Sequence, residues 1–139
     1  MAVDFGERRI GIALSDPGRI LATPWGTIDT RKHPDPAETI ARLVRENDAG
    51  LIVVGYPLHL DGRISEKAMA VDAFIEKLKA RVPGVPVERT DERYSSVEAQ
   101  GVLMSKKRNK HRDKEAVDRI AAALFLQEYL DGLGPVNNA

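Results

Sequence analysis

The sequence predicts an α/β fold: a mixed five-stranded sheet, made of a three-strand antiparallel meander and two parallel strands, flanked by helices. Two observations predict it. The first thirty residues form three β-rich runs separated by turn signals, and the rest alternates between helical patterns and short apolar runs. Strands reached through a helical crossover run parallel to the first strand. The carboxyl ends of strands one, four and five should therefore share one sheet edge, where ligands gather in open α/β sheets.

The meander is predicted from strands at 1–5, 9–15 and 20–29. Glycine, aspartate and proline mark the two turns between them, at 6–8 and 16–18. Asp4 lies inside the first strand, where an unpaired charge would cost several kcal/mol unless something compensates for it. A bound metal ion is one such compensation.

The first helix begins with a clear capping signature. Asp35 is the predicted N-cap, Pro36 occupies the first helical position, and Glu38 follows three residues after the cap. Its apolar face consists of Ile40, Leu43 and Val44, and the glycine at position 50 is expected to end it.

The later elements alternate between strand and helix. We predict strands at 51–54 and 85–89, a loop at 55–64, a helix from about Ser65, a short helix opened by Ser95 and Glu98 that ends near 104, and a last helix at 114–130. The last helix should bury Val117, Ile120, Ala121 and Leu124. The order of elements is then β-β-β-α-β-α-β-α-α.

Composition indicates one ordinary globular domain, at 1–132, with a flexible tail at 133–139. The chain lacks cysteine, which excludes a disulfide framework and a cysteine-based zinc site, and its three histidines are scattered. No apolar run reaches the length of a membrane span, so we expect no membrane association and a cytoplasmic location. Twenty-one basic residues balance twenty-one acidic ones, so any nucleic-acid affinity must come from local charge.

Three acidic residues are the candidate catalytic groups: Asp4 near the end of strand one, Glu92 just after strand five, and Asp118 early in the last helix. Carboxylates that converge from separate elements suit Mg²⁺ or Mn²⁺, which prefer oxygen ligands. Two such ions can activate a water and stabilise the leaving oxygen of a phosphodiester. The trio therefore indicates a metal-dependent nuclease.

Each acid also has an ordinary structural explanation. Asp4 could bond to nearby backbone amides, and Glu92 could pair at the surface with Arg89 or Arg93, an interaction worth about 0–1 kcal/mol. Asp118 could be a first-turn acid that the helix dipole and Lys114 stabilise. A fourth carboxylate has several candidates, so one-metal and two-metal binding both remain open: Asp16, Asp91 and Asp113.

A basic run just before the last helix is the main candidate for nucleic-acid contact. Its cations can hold phosphates even on a neutral protein, although a solvated loop explains clustered Lys and Arg equally simply. The candidate contact residues in this run are Lys106, Lys107, Arg108, Lys110 and Arg112.

Four blocks in order resemble the YqgF/RuvX-type proteins of the ribonuclease H-like superfamily, over nearly the whole chain. They are Asp4-Phe5-Gly6 with Arg9-Ile10-Gly11-Ile12-Ala13 and Ser15-Asp16; Gly55-Tyr56-Pro57-Leu58 with Asp61-Gly62; Asp91-Glu92-Arg93-Tyr94-Ser95-Ser96; and Val117-Asp118 with Ile120-Ala121-Ala122 and Leu126-Gln127. The chain departs from the family pattern at Tyr56 and His59, where Leu and Asn are more usual.

The resemblance implies a ribonuclease H-like fold and a metal-dependent endonuclease. Asp4, Glu92 and Asp118 take the family's catalytic, metal-binding places, and Arg9 and Arg93 become candidates for holding phosphate or neutralising developing charge. The family is described either as nucleases that process the 5′ end of pre-16S rRNA or as Holliday junction resolvases. A resolvase that cuts symmetrically would act as a homodimer, whereas a trimming enzyme could act as a monomer.

Two other classes compete with the nuclease interpretation. Actin-like ATPases and sugar kinases share the sheet and an Asp-x-Gly hairpin, but they use two domains around ATP, and the chain has the length of one. A non-catalytic nucleic-acid-binding module on a nuclease fold is the other class, because a fold can outlive its chemistry.

Overall fold

The computed structural model describes residues 1–56, 65–91 and 110–132, with the backbone alone at 91 and 110–115. Within these ranges the chain forms a mixed sheet flanked by helices, as predicted. The strands are β1 (Ala2–Asp4), β2 (Arg9–Ser15), β3 (Ala22–Asp29), β4 (Ile52–Tyr56) and β5 (Val87–Asp91). The helices are α1 (Pro36–Asn47), α2 (Glu66–Arg81) and α3 (Lys110–Gly132).

The sheet has the predicted topology. Its strand order is β3-β2-β1-β4-β5, so the short β1 is the central strand. β2 runs antiparallel to both β1 and β3, whereas β4 is parallel to β1 and β5 is parallel to β4. The carboxyl ends of β1, β4 and β5 consequently lie along one edge, which confirms the expected placement of Asp4.

Helices cover both faces of the sheet, and alternate strand residues face opposite layers. Val3, Ile10 and Ile12 belong to one buried cluster, with the apolar residues of α1 and α2. Ala2 and Ala13 belong to the other cluster, which contains the apolar residues of α3. This alternation follows from the two-residue period of a strand, and it allows the face of each strand residue to be identified.

Local capping interactions fix α1 where the sequence predicts it. The Asp35 side chain accepts a hydrogen bond from the Glu38 backbone N–H at 3.3 Å, and Pro36 is the first helical residue. The predicted end at Gly50 is wrong: Asp48 caps the helix in a left-handed conformation, with φ 53°. A short polar side chain tolerates that region, so a glycine is not required.

Two strands begin later than their sequences suggest. β3 starts at Ala22, because the Ile20 and Leu21 backbone N–H groups donate to the Asp16 carboxylate at 2.7 and 2.9 Å instead of entering the sheet. β5 starts at Val87, because the Val85 N–H closes a turn onto Val82.

The last helix differs from prediction in its start and in its buried face. α3 begins at Lys110, so Asp118 lies more than two turns inside it and not in the first turn. The helix-dipole explanation for Asp118 is therefore wrong. Of the predicted buried residues only Ala121 is fully buried, whereas Val117, Ile120 and Leu124 are half-buried. The row that faces the sheet contains Ala122 and Phe125, both completely inaccessible.

β3 forms an outer edge of the sheet and carries an irregularity. Ile12 pairs with Gly26 and Ala13 with Pro24, so Trp25 is an extra residue without a partner on β2. Such a β-bulge bends the strand locally and increases its twist.

The remaining predictions fall partly outside the described ranges. The loop predicted at 55–64 is wrong at its start, because β4 continues through Gly55 and Tyr56. Residues 57–64, the predicted helix opened by Ser95 and Glu98, and the tail at 133–139 lie outside the described ranges. No helix in the described parts of the chain combines the length and the hydropathy that a membrane crossing requires.

Candidate active site

Gly11 brings β1 and α3 together at the sheet edge that carries Asp4. Asp4 pairs directly with Gly11 across the β1–β2 ladder. A Cβ added to Gly11 would lie 2.1 Å from the Asp118 carbonyl oxygen and 2.8 Å from the Arg119 nitrogen. The helix backbone therefore rests directly on β2 at this position, where a side chain would not fit. A glycine inside a strand often marks such a close approach.

Asp4 and Asp118 both lie at the interface between α3 and the sheet. Asp4 is two residues after Ala2, which packs against α3, so its side chain is on the α3 side of the sheet. Asp118 lies four residues before Ala122 and seven before Phe125, so it shares their sheet-facing row of the helix. Both carboxylates are half-buried. The structure thus brings these two predicted residues together around Gly11.

Arg9 fixes the orientation of the Asp118 carboxylate. Its Nε donates to Asp118 Oδ2 at 2.9 Å, and the side chains are 32% and 21% exposed, respectively. Arg9 lies two residues before Gly11 and therefore on the same sheet face. A charge-assisted hydrogen bond of this kind contributes about 1 kcal/mol once solvent screening is allowed for. This hydrogen bond matters more for geometry than for stability, because it restricts the rotation of a carboxylate that could bind a cation.

The remaining predicted site residues lie outside the described ranges or have only their backbone described. β5 ends at Asp91, opposite Tyr56, and Glu92 and Arg93 follow it outside the described ranges. In the basic run, Lys106, Lys107 and Arg108 lie outside these ranges, whereas Lys110 and Arg112 are in the first turn of α3 with only their backbone described.

Asp4 and Asp118 supply two of the three proposed carboxylates, and the described residues contain no complete set of three acidic or histidine ligands. Half-buried carboxylates from two different elements are the donor type that Mg²⁺ and Mn²⁺ prefer. The residues present therefore fit such a cation. Asp16 does not belong to the set, because it follows the far end of β2, beyond the pair of Ala13 with Ala2. Hydrogen bonds from the Leu21 and Ile20 N–H groups lower the pKa of Asp16.

A polar cluster on the α2 side of the sheet stabilises the sheet edge at which Asp4 lies. The Tyr56 hydroxyl donates to Asp72 Oδ2 at 2.9 Å, and Arg89 Nη1 donates to Asp72 Oδ1 at 3.1 Å. The Arg89 guanidinium lies 4.7 Å from the centre of the Tyr56 ring. The hydrogen bond to Asp72 raises the pKa of Tyr56. The cluster links the end of β4 and the middle of β5 to α2, and only the unusual Tyr56 signalled it in the sequence.

The sequence is similar to one protein family and to individual proteins over most of its length. The profile of one protein family, described as "RuvX: Holliday junction resolvase", matches residues 1–132. A protein of Fusobacterium nucleatum is 41% identical over 132 residues, covering 94% of this chain and 95% of the relative. A protein of Chloroflexus aggregans is 40% identical over 131 residues, with 94% and 92% covered. Both relatives carry the name "Putative pre-16S rRNA nuclease".

Solved structures share the fold at low sequence identity. Thermus thermophilus RuvC in complex with a Holliday junction substrate matches with a TM-score of 0.56 and 15% identity, covering 95% of this chain and 93% of that one. Fowlpox virus resolvase with substrate Holliday junction DNA matches with a TM-score of 0.55 and 15% identity, covering 96% and 97%. These similarities confirm the predicted ribonuclease H-like fold.

Proposed function

Because this chain belongs to the RuvX family, we propose that it is a metal-dependent endonuclease that hydrolyses phosphodiester bonds in structured nucleic acid. The observation that carries the proposal is the convergence of Asp4 and Asp118 on the two sides of Gly11. Like charges close together in a half-buried site repel one another, and Arg9 contributes a positive charge beside Asp118. A divalent cation bound between the two carboxylates would stabilise both of them.

Asp4, Glu92 and Asp118 are the proposed ligands of Mg²⁺ or Mn²⁺. When bound, these cations supply activation of a water and stabilisation of the leaving oxygen. Arg9 keeps Asp118 oriented through its Nε. Arg9 and Arg93 would also bind the phosphate that flanks the scissile bond, because a guanidinium matches phosphate geometry. No cysteine or histidine is needed for this chemistry.

The favoured substrate is pre-16S rRNA, cleaved during processing of its 5′ end. The names of the relatives at 40–41% identity support this choice. Such a role would place the protein in the cytoplasm. The alternative substrate is a four-way DNA junction, which the family description and the ligands of the two structural neighbours favour. Symmetric cleavage of a junction would require a homodimer, whereas rRNA trimming is compatible with a monomer.

The deciding experiment is cleavage of a labelled precursor 16S rRNA fragment and a labelled four-way junction in Mn²⁺, Mg²⁺ and EDTA. Asp4→Asn removes one proposed ligand and should abolish cleavage while nucleic-acid binding is kept. Asp48→Asn is the matched control, because Asp48 is exposed at the end of α1 and asparagine tolerates its left-handed backbone. It should cleave like the wild type.

Each outcome selects one function. Metal-dependent cleavage of the RNA alone establishes the maturation nuclease. Paired symmetric cuts in the junction establish the resolvase and require a dimer, which sedimentation would detect. Binding of either substrate without cleavage by the wild type would reject the nuclease and leave the non-catalytic binding module.

A further inference from the structure

Two turns beside the candidate active site bring three exposed cations together. Arg8 lies in the turn between β1 and β2, and Arg31 and Lys32 lie in the turn after β3. The two turns are joined at Thr30. Its backbone N–H donates to the Arg8 carbonyl at 2.9 Å, and its hydroxyl donates to the Glu7 carbonyl at 2.7 Å. Arg8, Arg31 and Lys32 are named the turn patch below.

Asp29 orders the backbone that carries Arg31 and Lys32. Its carboxylate accepts from the Arg31 N–H at 2.9 Å, and its carbonyl accepts from the Lys32 and His33 N–H groups at 3.0 Å each. The hydrogen bond from the Arg31 N–H lowers the pKa of Asp29, so the carboxylate keeps its charge, and the turn keeps this hydrogen bond, to a lower pH than an ordinary aspartate would allow. Cations on an ordered backbone lose less conformational entropy when they bind a ligand.

The sheet register sets the distance from Asp29, the strand residue before the turn that carries Arg31 and Lys32, to Asp4. Asp29 pairs with Arg9 on β2, and Asp4 pairs with Gly11 two residues further along. Asp29 and Asp4 are therefore two strands apart across the sheet and two residues apart along the strand direction, which together give a separation of about 12 Å. That distance corresponds to a few nucleotides of backbone, because successive phosphates rise about 3.4 Å along the duplex axis and lie further apart along the strand itself. A backbone cleaved at Asp4 can therefore reach the patch.

The charges of the turn patch are largely available to a ligand. Arg8, Arg31 and Lys32 are exposed. Arg31 Nε lies 3.6 Å from Asp29 Oδ1, a long contact with a carboxylate that also bonds the backbone. Neither Arg8 nor Lys32 forms an ion pair with any residue in the described ranges, although Lys32 acts electrostatically on Asp29. Glu7 and Asp29 are the acids closest to these three cations in the sequence, and the charge of Asp35, just before α1, is balanced by Arg81 at 2.9 Å, so the patch is net positive.

We propose that Arg8, Arg31 and Lys32 form a phosphate-binding surface that holds the substrate backbone a few nucleotides from the scissile bond, on the β3 side of the active site. This proposal rests on the nuclease function above, since it names where the same substrate continues. The recognised chemistry is the phosphodiester backbone, which RNA and DNA share. Parallel measurements with an RNA hairpin and a four-way DNA junction distinguish the two sources.

The test is the salt dependence of binding in the Asp4→Asn protein, which separates binding from cleavage. Each lost phosphate contact reduces the slope of log affinity against log salt by about 0.9 for B-DNA and about 0.7 for single strands. The triple variant Arg8→Gln, Arg31→Gln, Lys32→Gln should therefore reduce the slope by about 2–3 and weaken binding more than tenfold at about 100 mM salt.

The matched control removes the same total charge elsewhere. Arg42, Lys77 and Lys79 are exposed on α1 and α2, the helices on the opposite face of the sheet from α3. Their triple glutamine variant should leave the slope within about 0.5 of the parent, since long-range attraction alone is screened beyond about 10 Å at this salt. Circular dichroism melting of both triple variants confirms that the fold is kept.

The outcomes separate this proposal from the proposed function. A reduced slope for the turn-patch variant alone supports the surface, and the ligand with the larger change identifies the backbone it holds. Equal slopes for the turn-patch and control variants would overturn it. A reduced slope together with no cleavage by the wild-type chain would keep the surface and reject the nuclease.

Discussion

Replacing Gly11 with alanine should disrupt the candidate active site more than its small volume suggests. The added Cβ would lie 2.1 Å from the Asp118 carbonyl oxygen and 2.3 Å from the carbonyl carbon, and real Cβ contacts essentially never fall below 3.0 Å. The oxygen must therefore recede by about 0.9 Å. Both sides of the contact are backbone, so no side-chain rotation can relieve it. Either α3 must lift from β2, or β2 must bend.

The structure sets the size of the expected effect. Overpacking of a well-packed interior costs about 1–3 kcal/mol, and a backbone contact belongs at the upper end. Alanine also restricts the unfolded chain, which stabilises the folded state by about 0.4–1 kcal/mol. The free energy of unfolding should therefore fall by roughly 2 kcal/mol in total. For a chain of this size that corresponds to a Tm lower by about 6–8 °C. Displacing Asp118 by nearly 1 Å should slow single-turnover cleavage by about 100-fold.

Gly26→Ala is the matched control, because it makes the same change in the neighbouring strand β3. An added Cβ there meets no atom within 4 Å. Its Tm and its cleavage rate should both stay close to those of the wild type. If Gly11→Ala melts within about 1 °C of Gly26→Ala and cleaves at the wild-type rate, the close approach of α3 to β2 does not position Asp118 and the reasoning fails.

Three further predictions concern other contacts. Arg9→Gln removes the charged partner of Asp118 and should slow cleavage by about 10–100-fold while the Tm falls only slightly; an unchanged rate would show that Arg9 does not orient the carboxylate. Gln127→Glu removes the amide group that donates to the Ile20 carbonyl and to Asp131, so the free energy of unfolding in urea should fall by about 1–3 kcal/mol. An unchanged free energy of unfolding would show that these hydrogen bonds do not stabilise the fold. In protein expressed with Met1 as its first residue, burial lowers the pKa of the α-amino group from 8.0 to about 6. The unfolded chain then binds more protons between these values, so stability should rise with pH across this window, by roughly 3 kcal/mol at most. Acetylating that amine should flatten the rise, and identical pH profiles for the two forms would contradict the assignment.

Local signals predicted much of the fold because they act over short distances. Asp35 and Ser65 cap helices where the sequence places them, since a side-chain oxygen needs only the amide three residues ahead. Boundaries were harder to predict where a distant or unusual partner decides them. The start of β3 depends on Asp16 capturing two amides, and the end of α1 depends on the left-handed Asp48.

The site was predictable in its location and less so in its construction. Parallel strand ends meet at one sheet edge, so the position of Asp4 follows from topology. The sequence does not predict the close approach of α3, because the apolar pattern of Val117, Ile120 and Leu124 indicates a different buried face. A glycine in the middle of β2 was the available signal for that approach. The turn patch was missed because Arg8 is far in sequence from Arg31 and Lys32, and hydrogen bonds of Thr30 bring the two turns together.

The bulge in β3 bears on how this protein can assemble. An outer strand normally presents a row of amide and carbonyl groups on which another chain can add a strand, the route to edge-to-edge aggregation. Pro24 has no amide hydrogen to offer, and the extra residue Trp25 breaks the regular spacing of the groups beside it. Only a short segment on each side of the bulge keeps the regular spacing. If two copies of this chain cooperate on a four-way junction, they should therefore meet through side chains on another surface, and not by extending the sheet across β3.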